Sequence, residues 1–214
     1  MQAYMKSAMP YYGVPAAGQN RVFKSVFSGH NLMSYVDWRD TVVSLWRKAR
    51  FREERYAAIA LTGHRLYSGF QTTRTMPLYE EMIIDGAWWD YVDAIAVHRI
   101  GPLLAKYPKV IKPRMISWSR SPDLWKRRAA IICQVARKKE TDLDLLYTCS
   151  ENNFGDRDFF IRKGIGWALR AYAWVDPEEI VRFVGKHESS MSNLSRREAL
   201  KNTSRGHKSG RKRT

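Results

Sequence analysis

Cysteine and acidic side chains are scarce in this 214-residue sequence, and long hydrophobic runs are absent. The two cysteines, Cys133 and Cys149, can build neither a disulfide framework nor a tetrahedral zinc site. No apolar stretch approaches the roughly 18 residues of a membrane span, and the chain start lacks the basic and apolar segments of a signal peptide. We therefore expect a soluble cytoplasmic protein that uses no metal and no other cofactor.

The shortage of acids leaves a large positive charge. The 21 Asp and Glu residues face 37 Lys and Arg residues, so the formal charge is +16 and the sequence pI is about 10.0. Five of these cations lie in the last twelve residues, which hold no acid and no large apolar side chain. We expect residues 204–214 to form a disordered basic tail, and residues 1–203 to form one folded domain that keeps the other +11.

A folded body with this charge predicts a polyanionic partner. Duplex DNA or RNA is the leading candidate, because phosphate neutralisation with counterion release is the usual use of a positive face. The densest stretch, residues 120–139, has seven Lys and Arg residues against the single acid Asp123. An acidic membrane surface is a weaker alternative, and charge that serves only solubility is another. We expect a nucleoid-associated monomer.

Hydrophobic periodicity predicts an all-α chain, since apolar residues recur three and four apart and β-branched alternation is almost absent. Helix starts are indicated by Ser121 before Pro122, by Asp176 before Pro177, and by a capping box of Ser195 with Glu198. The predicted helices are 19–28, 35–49, 53–67, 77–85, 88–106, 110–119, 122–139, 143–151, 157–174, 177–187 and 196–203.

A short motif repeats along these helices. A small residue, an isoleucine and a further small or apolar residue recur, and the four isoleucines lie 36, 36 and 34 positions apart. The period fits two helices with their turns, the size of a HEAT-like helical hairpin. The fold prediction is therefore an α-α superhelix with a concave basic groove. The isoleucines are Ile59, Ile95, Ile131 and Ile165.

One repeat position carries an acid where others carry alanine. Asp93 stands where the repeats before and after it have Ala57 and Ala129. Trp89 lies four residues earlier, so indole and carboxylate share one helix face. A carboxylate beside aromatic surface is poorly solvated and needs a donor or a cation. Asp93 is therefore a functional candidate, with an ordinary surface pair to Arg128 as the alternative.

Two further side chains stand out from apolar stripes. Arg128 interrupts the stripe that includes Leu124 and Ile131, and its guanidinium suits bidentate contact with phosphate or carboxylate. The alternative is an arginine at the stripe's edge with its head in water. Trp167 lies on a stripe with Gly164, where glycine indicates close approach of another backbone. A core tryptophan is the simpler interpretation of Trp167.

At these positions the sequence resembles the AlkD-like family of bacterial DNA alkylation repair glycosylases. The matching segments are residues 88–93 (WWDYVD), 124–130 (LWKRRAA), 159–170 (FFIRKGIGWALR) and 194–201 (LSRREALK). The resemblance implies a HEAT-like fold and removal of cationic alkylated purines, such as 3-methyladenine and 7-methylguanine, from duplex DNA.

Residue roles follow from the same resemblance. It implies that Asp93 is the catalytic carboxylate, that Trp89 and Trp167 flank it against the deoxyribose, and that Arg128 holds the DNA backbone. It also places Tyr4 near a DNA-facing region. With the local positive charge, Lys6, Arg127 and Lys163 become candidate DNA contacts.

The chemistry agrees with these roles. A cationic base leaves as a neutral molecule and needs no general acid, whereas the sugar gains positive charge that a preorganised carboxylate can stabilise. The resemblance further implies that selectivity comes from the charge and the weak bond of the substrate and not from a base-flipping pocket. The main alternative is a non-catalytic HEAT-like scaffold that binds DNA or RNA. A protein-binding solenoid would leave the positive body unexplained.

Overall fold

A computed structural model describes residues 2–201 and Thr203, and within that range the chain forms helices and turns without any strand. The predicted tail, residues 204–214, lies outside the described residues. None of the described helices is long and apolar enough to cross a membrane. The chain divides into two compact units, Met1–Met82 and Ile83–Thr214.

The first unit is built on α3 and α4, which pack against each other, and α2 packs on α4. Trp38 and Trp46 of α3 are fully buried in its core. Ser34 caps α3 by accepting a hydrogen bond from the backbone N–H of Asp37, as expected for a serine N-cap. The helices are α1 Gln2–Met5, α2 Ala16–Ser28, α3 Tyr35–Arg47, α4 Arg52–Thr62, the 3-10 turns Arg65–Phe70 and Thr73–Thr75, and α5 Met76–Gly86, which continues past Met82.

The second unit is a series of packed helices. Here α9 packs against both α6 and α11, and α11 packs against α13. The helices are α6 Trp89–Ile95, the π turn Ala96–Ile100, α7 Gly101–Lys106, α8 Pro108–Trp118, α9 Leu124–Ile132, the 3-10 turn Lys138–Glu140, α10 Leu143–Glu151, α11 Phe159–Tyr172, α12 Pro177–Lys186 and α13 Asn193–Ala199.

The repeat seen in the sequence marks equivalent helices. Its four isoleucines lie on α4, α6, α9 and α11, and each is at least 94 % buried. Within the second unit, three successive repeat helices stack, because α9 lies between α6 and α11. The prediction of an all-α repeat fold is confirmed.

The predicted helix 122–139 is wrong at both ends. Its N-cap is Asp123, which accepts from Lys126 N–H at 2.8 Å, and not Ser121. Its last residue is Ile132, because the Gln134 amide exchanges two 2.9 Å hydrogen bonds with the backbone of Asp142 and turns the chain back. This turn depends on a distant partner, so local periodicity could not show it.

The predicted capping box of Ser195 with Glu198 is also wrong. Ser192 caps α13 and accepts from Ser195 N–H at 3.1 Å, while Ser195 is buried inside the helix.

By contrast, Asp176 caps α12 as predicted, with Glu179 N–H donating at 2.9 Å. The helix predicted over 53–67 ends at Thr62, since Gly63 forms its C-cap.

Glu198 instead balances three cations. Its carboxylate pairs with Arg170 and Lys201 at 2.6 Å and with Lys163 at 3.0 Å, and its side chain is only 8 % exposed. Burial alone would raise the pKa of Glu198, but hydrogen bonds and charge from these partners lower it to about 2. The ion cluster ties α11 to α13.

Alanine at Gly166 is expected to lower the free energy of unfolding by about 1–3 kcal/mol, the usual cost of overpacking. An added Cβ would lie 2.3 Å from the Glu198 Cβ and 2.9 Å from the Ser195 carbonyl oxygen, where α11 packs against α13. Gly185→Ala is the matched control, because its added Cβ meets nothing within 4 Å. Urea unfolding that shows equal losses for both variants would contradict this packing.

Candidate active site

Helix α6 positions the candidate carboxylate. Trp88 is its N-cap in an extended conformation, Trp89 is its first residue, and Asp93 lies one turn later. The neighbouring side chains of Tyr91 and Val92 are buried and anchor the helix. Trp89 and Asp93 are both half-buried, so the shared face predicted from their spacing remains partly open to solvent.

A π turn follows this segment directly. Pro102 has no N–H to donate to the His98 carbonyl, and that carbonyl accepts instead from Arg99 Nη1 at 2.9 Å. Gly101 is required beside it, since an added Cβ would lie 2.5 Å from the Cys133 carbonyl oxygen. Such widened turns occur frequently at functional sites.

Asp93 and Arg128 form a bidentate ion pair between α6 and α9. Arg128 Nε donates to Oδ1 at 2.7 Å and Nη2 donates to Oδ2 at 2.8 Å. The two side chains are 16 % and 7 % exposed. This is the strongest common geometry for a carboxylate and a guanidinium, and it fixes both carboxylate oxygens.

A third contact fixes Arg128. Its Nη1 donates to the Phe160 carbonyl of α11, and the guanidinium carbon lies 5.9 Å from the Phe160 ring centroid. Gly164 makes room, because an added Cβ there would lie 3.3 Å from Nη1. Arg128 is therefore buried, and the alternative of a guanidinium in water is wrong.

The electrostatics of the pair follow from its burial. Burial raises the pKa of Asp93 above its ordinary value of 3.8, Arg128 opposes that rise, and the charge of Asp90 adds to it. Both Asp93 oxygens accept N–H donors, an arrangement suited to the ionised form. An ionised carboxylate has about four lone-pair positions, so the two that Arg128 leaves unused can face a substrate or a water molecule.

An aromatic cluster adjoins this pair and was not predicted from the sequence. The rings of Trp88, Trp125 and Phe160 lie with centroids 5.1–6.1 Å apart and connect α6, α9 and α11. Aromatic surface of this kind lowers the local dielectric and strengthens charge interactions. Trp88, Trp125 and Phe160 all lie in the segments that resemble the family, but only the fold brings the three rings together.

Trp167 lies on α11, one turn after Gly164, and is half-buried. It lines an open cleft together with Val135 and Lys139. The interpretation of Trp167 as a fully buried core residue is therefore wrong. Its predicted role beside Asp93 stays a prediction.

Two predicted DNA contacts are engaged within the protein. Arg127 pairs with Asp156 at 2.9 Å and donates to the carbonyls of Ser121 and Pro122. Lys163 pairs with Glu198 at 3.0 Å and keeps about a third of its side chain exposed. Their roles in DNA binding stay predictions, and sequence reasoning missed Asp156.

The other two predicted contacts lie in the first unit. Tyr4, on α1, is 80 % exposed, and Lys6 follows α1 with an exposed side chain and a positive φ of 47°. Exposure of this degree leaves both side chains available to a partner.

The family model of the DNA alkylation repair enzyme matches residues 1–203. The chain belongs to the DNA alkylation repair enzyme family. A solved structure described as a predicted DNA alkylation repair enzyme from Enterococcus faecalis is 26 % identical, with a TM-score of 0.84 over 94 % of this chain and 92 % of that one. No curated protein sequence matches the chain significantly.

Membership in the alkylation repair family confirms the resemblance seen in the sequence. It supports a role in DNA alkylation repair and indicates DNA as the partner. The paired Asp93 and Arg128 lie within the residues that the family model matches.

Proposed function

We propose that this alkylation repair protein is a DNA glycosylase that hydrolyses the N-glycosidic bond of cationic alkylated purines in duplex DNA. The observation that carries the proposal is the Asp93 carboxylate, which is held by two hydrogen bonds and remains partly exposed on the helix face of Trp89. A fixed anion beside aromatic surface is suited to stabilise a positively charged sugar. The substrates would be of the 3-methyladenine and 7-methylguanine type.

The reaction can be written around these groups. When the bond from C1′ to the purine breaks, its electron pair goes to the cationic base, which leaves neutral. Positive charge develops on the deoxyribose, where Asp93 stabilises it. Water attacks C1′ and loses a proton, so an abasic site and a free base result. No acid has to protonate the base, and no enclosed pocket is required for selectivity.

Arg128 acts mainly as a positioning residue in this proposal. Three of its five N–H groups are used by Asp93 and Phe160. In this proposal the two remaining N–H groups contact a phosphate beside the lesion, which is the backbone contact that the resemblance implies for Arg128. Trp89 and Trp167 would supply indole faces to the sugar.

The proposal is tested by incubating the protein with duplexes that carry a single 7-methylguanine or 3-methyladenine and measuring the free base by mass spectrometry. We expect release of both bases and an abasic site in the same strand. Tight duplex binding without any released base would favour the scaffold alternative, in which the ion pair of Asp93 and Arg128 only braces α6 against α9.

A further inference from the structure

An open cleft lies between the chain that follows α9 and the end of α11. Its volume is about 560 Å³, within the range of small-ligand sites. One wall carries the indoles of Trp167 and Trp174, and the other carries Lys138 and Lys139. The cleft therefore combines aromatic surface with cations, the two features that single-stranded nucleic acid requires.

Trp174 is the unusual member of this cleft. It is 67 % exposed, although an indole is among the most costly side chains to leave in water. The turn that carries it is ordered by hydrogen bonds from Ala173 to Leu169 at 3.0 Å and from Val175 to Tyr172 at 2.7 Å. Asp176 then caps the next helix. An exposed indole on a fixed turn is a stacking surface.

Hydrogen bonds fix the backbone of the turn that carries the two lysines. Arg137 donates to the Glu140 carbonyl at 3.2 and 3.1 Å, and Thr141 Oγ1 donates to the Lys138 carbonyl at 2.8 Å. These bonds close the turn and support a φ of 53° at Lys138, a conformation that lysine rarely adopts.

The lysine ammonium groups are available to a ligand. Lys138 and Lys139 are exposed, and neither forms an ion pair within the described part of the chain. Arg170, the third cation of the cleft, is instead neutralised by Glu198 at 2.6 Å. The charge presented to a ligand thus comes from the turn after α9.

We propose that this cleft binds one unpaired nucleotide of DNA, with its base stacked on Trp174 and its phosphate held by Lys138 and Lys139. The DNA partner rests on the proposed function. A base in an intact duplex has both faces covered by its neighbours, so an indole can stack only on a base that has left the helix. The cleft is open, so it would hold such a base on a platform and not in a closed pocket.

The test compares two duplexes of equal length, one fully paired and one with a single bulged nucleotide. The parent protein should bind the bulged duplex more tightly. Trp174→Ala should lose about tenfold in affinity for the bulged duplex and leave the paired one unchanged, while Trp174→Phe should keep most of the preference. Equal loss on both duplexes, or no loss on either, would overturn the proposal.

A second arm tests the phosphate contact. The double variant Lys138→Gln, Lys139→Gln should flatten the salt dependence for the bulged duplex by about 0.7 per phosphate lost. Lys186→Gln, at an exposed site on α12, is the matched control and should leave the slope unchanged. A slope change per charge removed that is equal in both variants would show general charge attraction only and would overturn the contact.

Base release separates this inference from the proposed function. If the protein releases alkylated base while Trp174→Ala leaves the bulge preference intact, the function stands and the cleft proposal fails. If no base is released but Trp174→Ala abolishes the preference, the cleft proposal stands and the glycosylase assignment fails.

Discussion

Replacement of Asp93 by Asn should slow the release of 7-methylguanine by about 10²–10³-fold, the usual cost of losing one preorganised electrostatic stabiliser. The amide keeps the shape of the carboxylate but removes the anion that faces the developing sugar cation. Single-turnover release of the free base from a lesion duplex measures this rate constant.

Duplex binding should survive the same change. Asp93 is an anion in a positively charged protein, so its removal does not weaken attraction to phosphate, and it frees part of the Arg128 guanidinium. Asp90→Asn is the matched control, because Asp90 is half-buried on the same helix and its Oδ1 accepts from the Tyr91 N–H at 2.9 Å. An equal slowing in both variants would mean that general charge on α6 matters and that Asp93 has no special role.

Replacement of Arg128 by Ala should lower the free energy of unfolding by about 3–5 kcal/mol near neutral pH, because it leaves the Asp93 carboxylate buried without its partner. Base release should fall as well, since the carboxylate loses its fixed orientation. The double variant Asp93→Asn, Arg128→Ala should recover part of the stability, as expected when the uncompensated charge is removed.

The destabilisation of Arg128→Ala should depend on pH. Burial already raises the pKa of Asp93, and removal of the opposing guanidinium raises it further in the folded state. A folded-state pKa above the unfolded value favours folding when the group is protonated, so the variant should regain stability as pH falls through that raised pKa. Urea unfolding at several pH values measures this, and a penalty that stays constant down to acid pH would contradict it.

The sequence predicted most helices because their apolar stripes are regular, and the repeat of isoleucines located equivalent helices. It also marked Asp93, since an acid at a position that neighbouring repeats fill with alanine has no packing reason to be there. Arg128 was found in the same way, as a cation in an apolar stripe. These signals are local, so a single sequence carries them.

The contacts that make the site work are not local. Arg128 lies 35 residues from Asp93 and 32 from Phe160, and periodicity cannot distinguish a guanidinium in water from one buried between three helices. The end of α9 depends on Gln134 binding the backbone of Asp142, eight residues on. The spacing of Ser195 and Glu198 predicted a capping box, whereas ion pairs with three cations determine where the Glu198 side chain lies.

Base release from two duplexes of the same sequence, one with a cationic target base and one with a neutral target base, tests most directly whether excision depends on the charge of the substrate and on Asp93. One carries 7-methylguanine, which is cationic, and the other carries hypoxanthine, which is neutral. We expect the parent protein to release 7-methylguanine and not hypoxanthine, and Asp93→Asn to release 7-methylguanine about 10²–10³-fold more slowly than the parent. Comparable release of hypoxanthine, or undiminished release of 7-methylguanine by Asp93→Asn, would contradict excision driven by the Asp93 carboxylate.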